Sequence, residues 1–206
     1  MQGRFITLEG SEGVGKTSNL EAVVESLQRL GITVVQTREP GGTPLAEALR
    51  DLLLQPRDEP VDPQAELLMV FAARAQHLRE VVRPALARGD WVVCDRFTDA
   101  TYAYQGGGRG GSQATIAALE AMVHGDLQPH LTLYLDLDPD IARARISNRE
   151  LDRFEREERA FFNRVREAYL ARAQAYERFV TVDASRPLET VRQDVTRIVT
   201  KFARKP

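Results

Sequence analysis

Phe5-Ile6-Thr7-Leu8-Glu9-Gly10-Ser11-Glu12-Gly13-Val14-Gly15-Lys16-Thr17 is the stretch whose reading decides the fold. A short apolar run enters a glycine-rich turn ending in Lys-Thr. Beyond it Leu20, Val23, Val24, Leu27 and Leu30 recur at the helical period until Gly31 stops the pattern. Strand, Gly-x-x-x-x-Gly-Lys-Thr and helix, in that order, make a phosphate-binding loop. Its glycines let successive backbone N–H groups face one anion, the helix start adds its positive end, and Lys16 adds a full charge. Gly10, Ser11, Glu12, Gly13, Val14, Gly15, Lys16, Thr17 and the adjoining Ser18 are therefore candidate contacts for a nucleoside triphosphate, with the Thr17 hydroxyl placed for Mg²⁺.

Outward from this loop, apolar runs at residues 33–35, 91–94, 131–135 and 179–182 alternate with helical patterns, as buried parallel strands and their crossovers do. Thr43-Pro44 and Asp62-Pro63 each pair a capping side chain with proline in the first turn and open two helices. The second should run through Arg74 to about Arg83 and end or kink at Pro84. Further helices are expected over 113–123, 141–147, 157–176 and 188–202, and the glycine-rich stretch 106–111 reads as a mobile loop. The expectation is one α/β domain over residues 1–206, in three layers, with a central parallel five-stranded sheet flanked by helices and ligands at the carboxyl ends of its strands.

The charges, 28 Lys+Arg against 30 Asp+Glu, nearly cancel, which excludes a general nucleic-acid or membrane-surface binder and leaves any basic site local. Cys94, the single cysteine, lies in an apolar run and reads as a small core residue. The N-terminus has no signal-peptide pattern and no segment reaches membrane-spanning length, so a cytoplasmic protein is expected.

Asp95-Arg96 follows the run 91–94, where a carboxylate would lie near the phosphate loop and could bind Mg²⁺, and a guanidinium could grip a phosphate bidentately. No Asn-Lys-x-Asp motif for guanine and no Asp-Glu pair of an ATPase is present, and no residue stands out to activate water. Arginines instead recur at Arg38, Arg50, Arg74, Arg96, Arg143, Arg145, Arg149 and Arg153, a supply of positive charge that suits two phosphate-bearing substrates.

Over nearly its whole length the sequence resembles the bacterial thymidylate kinases, a family of P-loop kinase fold. The markers are residues 9–17, Thr37-Arg38-Glu39-Pro40-Gly41-Gly42-Thr43, Phe71-Ala72-Ala73-Arg74, Asp95-Arg96-Phe97 with Tyr102-Ala103-Tyr104-Gln105-Gly106-Gly107-Gly108-Arg109-Gly110, and Leu151-Asp152-Arg153-Phe154. The resemblance implies transfer of phosphate from ATP to dTMP with Mg²⁺ held by Thr17 and Asp95, and a homodimer packed through helices. It places Glu12 near the acceptor sugar, Arg50 and Arg96 on the acceptor phosphate, Phe71, Arg74, Thr101 and Gln105 around the base, and Glu39 among the dTMP contacts. Tyr104 would border the sugar, though the same spacing fits an ordinary half-buried tyrosine. Residues 146–158 resemble a mobile lid. Because Ser11 and Val14 leave the phosphate loop without an arginine, catalytic duty would shift to Arg153 or Arg149, with Arg153 preferred, beside Lys16, Arg96 and Asp95. Arg145 joins the ATP side, and residues 183–187 are an adenine-side loop or a plain strand-to-helix turn. The competing readings are a kinase for another monophosphate, such as UMP or dCMP, and a module that holds ATP without transferring phosphate. A hydrophobic pocket separates thymine from uracil by only about 1–3 kcal/mol.

Overall fold

A computed structural model describes residues 3–146 and 150–204. Among them five parallel strands, β1 (Phe5–Glu9), β2 (Val34–Arg38), β3 (Trp91–Asp95), β4 (Leu131–Asp136) and β5 (Phe179–Asp183), form one sheet in the order β2-β3-β1-β4-β5. β1 is central and buried along its whole length, and its alternation divides the core. Ile6 and Leu8, with Trp91 and Val93 of β3, face α1 (Lys16–Arg29) and α9 (Leu188–Ala203). Phe5, with Val92 and Cys94, faces Leu78, Val82 and Phe97 on the other side. Apolar residues at a period of two on both faces are what a sheet sandwiched between two helical layers requires.

Each strand runs further than its apolar run and ends on a charged residue: Glu9, Arg38, Asp95, Asp136 and Asp183. Strand pairing still holds at these positions, with Leu8 and Arg38 both in register with Asp95, Glu9 with Tyr134, and Asp136 with Asp183. A row of charges is thereby fixed at the carboxyl edge, where a parallel sheet presents its ligand crevice.

The helices start where capping chemistry places them. Thr43 Oγ1 accepts from Ala46 N at 3.2 Å to open α2 (Pro44–Leu54), and Asp62 accepts from Gln64 N and Ala65 N to open α3 (Pro63–His77). Pro84 neither ends nor breaks the helical path. α3 continues through a wide π turn, Leu78–Val82, into α4 (Arg83–Ala87), and the Arg83 N–H reaches back to the Leu78 carbonyl. The widened turn lets the helical path accommodate the proline ring and its missing N–H without a break. α7 (Pro139–Ile146) starts earlier than its apolar spacing suggests, because Asp138 Oδ1 accepts from Asp140 N at 2.9 Å.

The glycine-rich stretch also departs from expectation. After the single turn α5 (Thr98–Thr101) the chain continues as a wide helical segment, Tyr102–Gly108, followed by α6 (Gln113–His124). Gly107 and Gly108 sit against α8 (Arg159–Ala175). A Cβ on Gly107 would lie 2.7 Å from Ala168 Cβ and 2.8 Å from the Arg164 carbonyl, and one on Gly108 would lie 2.4 Å from the Phe161 ring. These glycines permit close helix packing, and Arg164 clamps the Gly108 carbonyl at 2.8 Å. Gly107→Ala should therefore destabilise the protein by about 1–3 kcal/mol in urea denaturation, through forced separation of the helices. An unchanged midpoint would show that the segment is a loose loop after all.

Candidate active site

The phosphate loop joins β1 to α1. Gly13, at φ +78°, passes so close to α7 that a Cβ would meet the Ala142 carbonyl at 2.3 Å. Gly15, also left-handed, occupies the N-cap of α1 without a capping side chain, so the first N–H groups of the helix stay available to an anion. Lys16 is buried and folds back over the loop, donating to the Ser11 carbonyl at 2.9 Å and the Gly10 carbonyl at 3.3 Å, with Glu12 at 3.6 Å. Burial, and then the charge of Arg96, pull its pKa down, while Glu12, Asp95 and Glu9 oppose them. Thr17 is exposed on the first turn of α1 and Ser18 is half-buried. Arg145 reaches across from α7 to the Gly13 carbonyl at 3.3 Å and the Ala184 carbonyl at 3.1 Å. With Val14, Gly15, Arg186 and Leu188 it lines a cleft on this side of the loop.

On the other side, Arg96 leaves β3 with φ +68°, a left-handed conformation that a side-chain-bearing residue adopts only when its surroundings fix it. Its guanidinium donates to the Gly10 carbonyl at 2.6 Å, to Glu12 at 2.6 Å, and to the Tyr104 and Tyr169 hydroxyls at 3.2 and 3.3 Å. Two carboxylates near it differ sharply. Burial alone would raise the Glu12 pKa, but Lys16 and Arg96 together hold it far below the usual carboxylate range. Glu9 is fully buried, accepting from Phe97 N at 2.7 Å and the Tyr169 hydroxyl at 2.8 Å. Desolvation, reinforced by Asp99, pushes it up to about 8.

Beyond Arg96 lies a cavity lined by Glu12, Glu39, Arg50, Arg74, Thr101, Tyr104 and Gln105, with Val70, Phe97 and Phe162 among its apolar walls. Arg74, 2% exposed, is the anchor of its floor. It donates to Glu39 at 2.6 Å and to Thr101 Oγ1 at 3.0 Å, and its Nη1 is buried without a partner among the described residues. Glu39 is held in turn by His77 Nδ1 at 2.8 Å, and although burial would raise its pKa, the Arg74 charge and the His77 hydrogen bond hold its carboxyl below the usual range. Arg50 donates to the Pro40 carbonyl at 3.0 Å. Phe71 does not line the cavity. It packs behind Arg74, whose guanidinium lies 4.9 Å from its ring, and Val70 takes the wall position.

Arg153 is not brought to the phosphate loop. It donates to the Leu53 carbonyl and to Glu66, both at 2.7 Å, which ties its own stretch of chain to α2 and α3. Arg149 lies outside the described residues. Glu66, Tyr169 and His77 were not singled out from the sequence. All three are buried polar residues that hold functional side chains in place, and in a helical pattern they read as ordinary helix residues.

The model of the thymidylate kinase family matches residues 8–195. This chain belongs to the thymidylate kinase family. It is 61% identical over 203 residues, 97% of this chain and 96% of the relative, to a thymidylate kinase of Chromohalobacter salexigens. It is 58% identical to one from Teredinibacter turnerae over 98% of this chain and all of the relative. A third relative, from Pseudomonas fluorescens, shares 60% over 97% and 96%.

The residues beside the phosphate loop fit a metal ion. Asp95 Oδ1 is buried with no hydrogen-bond partner among the described residues, Thr17 offers a hydroxyl, and both are the hard oxygen donors that Mg²⁺ prefers. Among the described residues no cluster of three or more metal-ligating side chains exists, so a nucleotide's phosphates and water would complete the shell.

The raised Glu9 pKa has a thermodynamic consequence for this family member. Its folded value of about 8 exceeds its ordinary value of 4.5, so the folded state holds the proton that the unfolded chain releases. Stability from this group is complete below pH 4.5 and is lost as pH rises through 8. Between about pH 5.5 and about pH 8.5, wild type should lose more than about 1 kcal/mol of stability relative to Glu9→Gln in urea titrations. Parallel pH dependence in the two proteins would show that Glu9 is ionised when folded.

Proposed function

We propose that the chain transfers the γ-phosphoryl group of ATP to dTMP, giving dTDP and ADP, by direct in-line transfer with Mg²⁺. One observation carries this reading: the phosphate loop lines both spaces, the cleft through Gly13, Val14 and Gly15 and the cavity through Glu12, which Arg96 grips. ATP would lie with its phosphates on residues 10–18 and its nucleoside toward Arg145 and Arg186. The acceptor would enter the cavity with its phosphate toward Arg50 and Arg96 and its base toward Arg74, Thr101 and Gln105.

The nucleophile is an oxygen of the acceptor phosphate, already anionic near neutral pH, so no general base is required. Catalysis then rests on position and charge. Lys16 and Arg96 face the region where negative charge spreads over the transferring group. Glu12, kept anionic and held by Arg96, would accept from the acceptor sugar's hydroxyl, and Tyr104 would close the sugar side. Asp95 and Thr17 would hold Mg²⁺, which supplies charge neutralisation between the phosphates. Of the two lid arginines, Arg149 is the one to add to these, since Arg153 is committed to Glu66 and the Leu53 carbonyl.

The described residues contain no helix long and apolar enough to cross a membrane, and the reaction suits the cytoplasm. A homodimer is part of the proposal. Leu45 and Leu52, seven apart on α2, are 55% and 48% exposed, and Leu68 on the adjoining α3 is 52% exposed. A second copy would cover them, and sedimentation of a monomer at micromolar concentration would remove this element.

The reaction is tested by ADP release across a panel of nucleoside monophosphates with and without Mg²⁺. The expected result is Mg²⁺-dependent turnover, highest with dTMP. ATP binding without ADP production for any acceptor would leave a nucleotide-binding module, and a preference for UMP or dCMP would move the acceptor assignment.

A further inference from the structure

Glu66 lies wholly buried at the first turn of α3 and does not line the acceptor cavity. Its Oε1 accepts from Gln105 Nε2 at 2.8 Å and from Arg109 at 3.3 Å, and its Oε2 accepts from Arg153 at 2.7 Å. Arg109 is tied on to Glu157 at 2.5 Å. A carboxylate gripped by two guanidinium groups offers only acceptors, so the face of Gln105 turned to it must be the amide NH₂. The Gln105 oxygen is left for the cavity, which Arg74 also lines.

An amide is by itself a two-way reader, since half a turn exchanges donor for acceptor. Glu66 removes that choice. We infer that Glu66 is a positioning residue that fixes the polarity of the base-reading edge, so that the cavity takes a pyrimidine with an N3–H donor and a 4-oxo acceptor and rejects one with an N3 acceptor and a 4-amino donor. This rests on the acceptor reading proposed above. Thymine and uracil present the accepted edge, and cytosine presents the inverted one. To serve cytosine, Gln105 would have to turn its oxygen onto the Glu66 carboxylate, losing a buried hydrogen bond and setting two acceptors together.

The inference is tested by kcat/KM for dTMP, dUMP and dCMP in wild type, Glu66→Gln, Gln105→Met and the double variant. Glu66→Gln can donate as well as accept, so it releases Gln105 to invert. The dTMP-over-dCMP preference should fall about tenfold, part of it remaining with Arg74, while the dTMP-over-dUMP ratio stays within about twofold. Gln105→Met should show a comparable loss, and adding Glu66→Gln to it should lower the preference no further. Glu66→Asp retains the charge that Arg109 and Arg153 need but withdraws from Gln105, so it should move the preference in the same direction if Glu66→Gln folds poorly. An unmoved dTMP-over-dCMP ratio in Glu66→Gln and Glu66→Asp, equal loss of both ratios, or a further fall on the Gln105→Met background would overturn the role of Glu66. A wild-type protein with no dTMP turnover would instead overturn the acceptor reading beneath it.

Discussion

Arg96 carries a guanidinium into the gap between the phosphate loop and the acceptor cavity, and its backbone takes a left-handed conformation to do so. Such a conformation costs a bulky residue about 1–3 kcal/mol. The surroundings offset it at several points. The Arg96 N–H extends the sheet by donating to the Leu8 carbonyl at 2.9 Å, and the guanidinium makes charge-assisted bonds to Gly10 and Glu12. The next residue is fixed as well, because Glu9 takes the Phe97 N–H. β1, β3, the phosphate loop and α8, through Tyr169, therefore converge on one residue, which places acceptor and donor in a common frame.

The charges around Arg96 are sorted rather than simply paired. Glu12, beside Lys16 and Arg96, stays ionised, while Glu9, deeper and close to Asp99, holds its proton near neutrality. Two carboxyl groups pushed in opposite directions can have different tasks in one site. With Glu9 uncharged, the positive charge of Arg96 is less compensated and more of it is available to phosphate. Farther in, Glu39 and Glu66 repeat a different pattern. Each is a buried carboxylate bound to arginine, and each fixes a side chain of the acceptor cavity, Arg74 in one case and Gln105 in the other.

Much of this was legible in the residues. Glycine spacing located the phosphate loop, and apolar runs located all five strands, because local geometry and burial dictate those patterns directly. Strand ends were not legible, since Glu9, Asp95 and Asp136 are polar residues that pair as strand only because neighbouring strands extend beside them. Gly107 and Gly108 read as a loop because glycine's tolerance of close packing shows only when α8 is in place. Glu66 reads as an acid suited to a helix start, and nothing local marks the approach of Arg109 and Arg153. Arg153 shows the converse: a basic residue in a lid-like segment suggests contact with phosphate, whereas its partners are a carbonyl and a carboxylate on α2 and α3.

The central claim is that donor and acceptor meet at Arg96 and that its charge acts on the transferring phosphoryl group. Single-turnover rates at saturating ATP and dTMP, measured for Arg96→Ala and Arg153→Ala, test it most directly. A fall of at least about 10³-fold is expected for Arg96→Ala, against less than about tenfold for Arg153→Ala, whose guanidinium is engaged elsewhere. A rate near wild type for Arg96→Ala, or an equally deep loss for Arg153→Ala, would contradict the account.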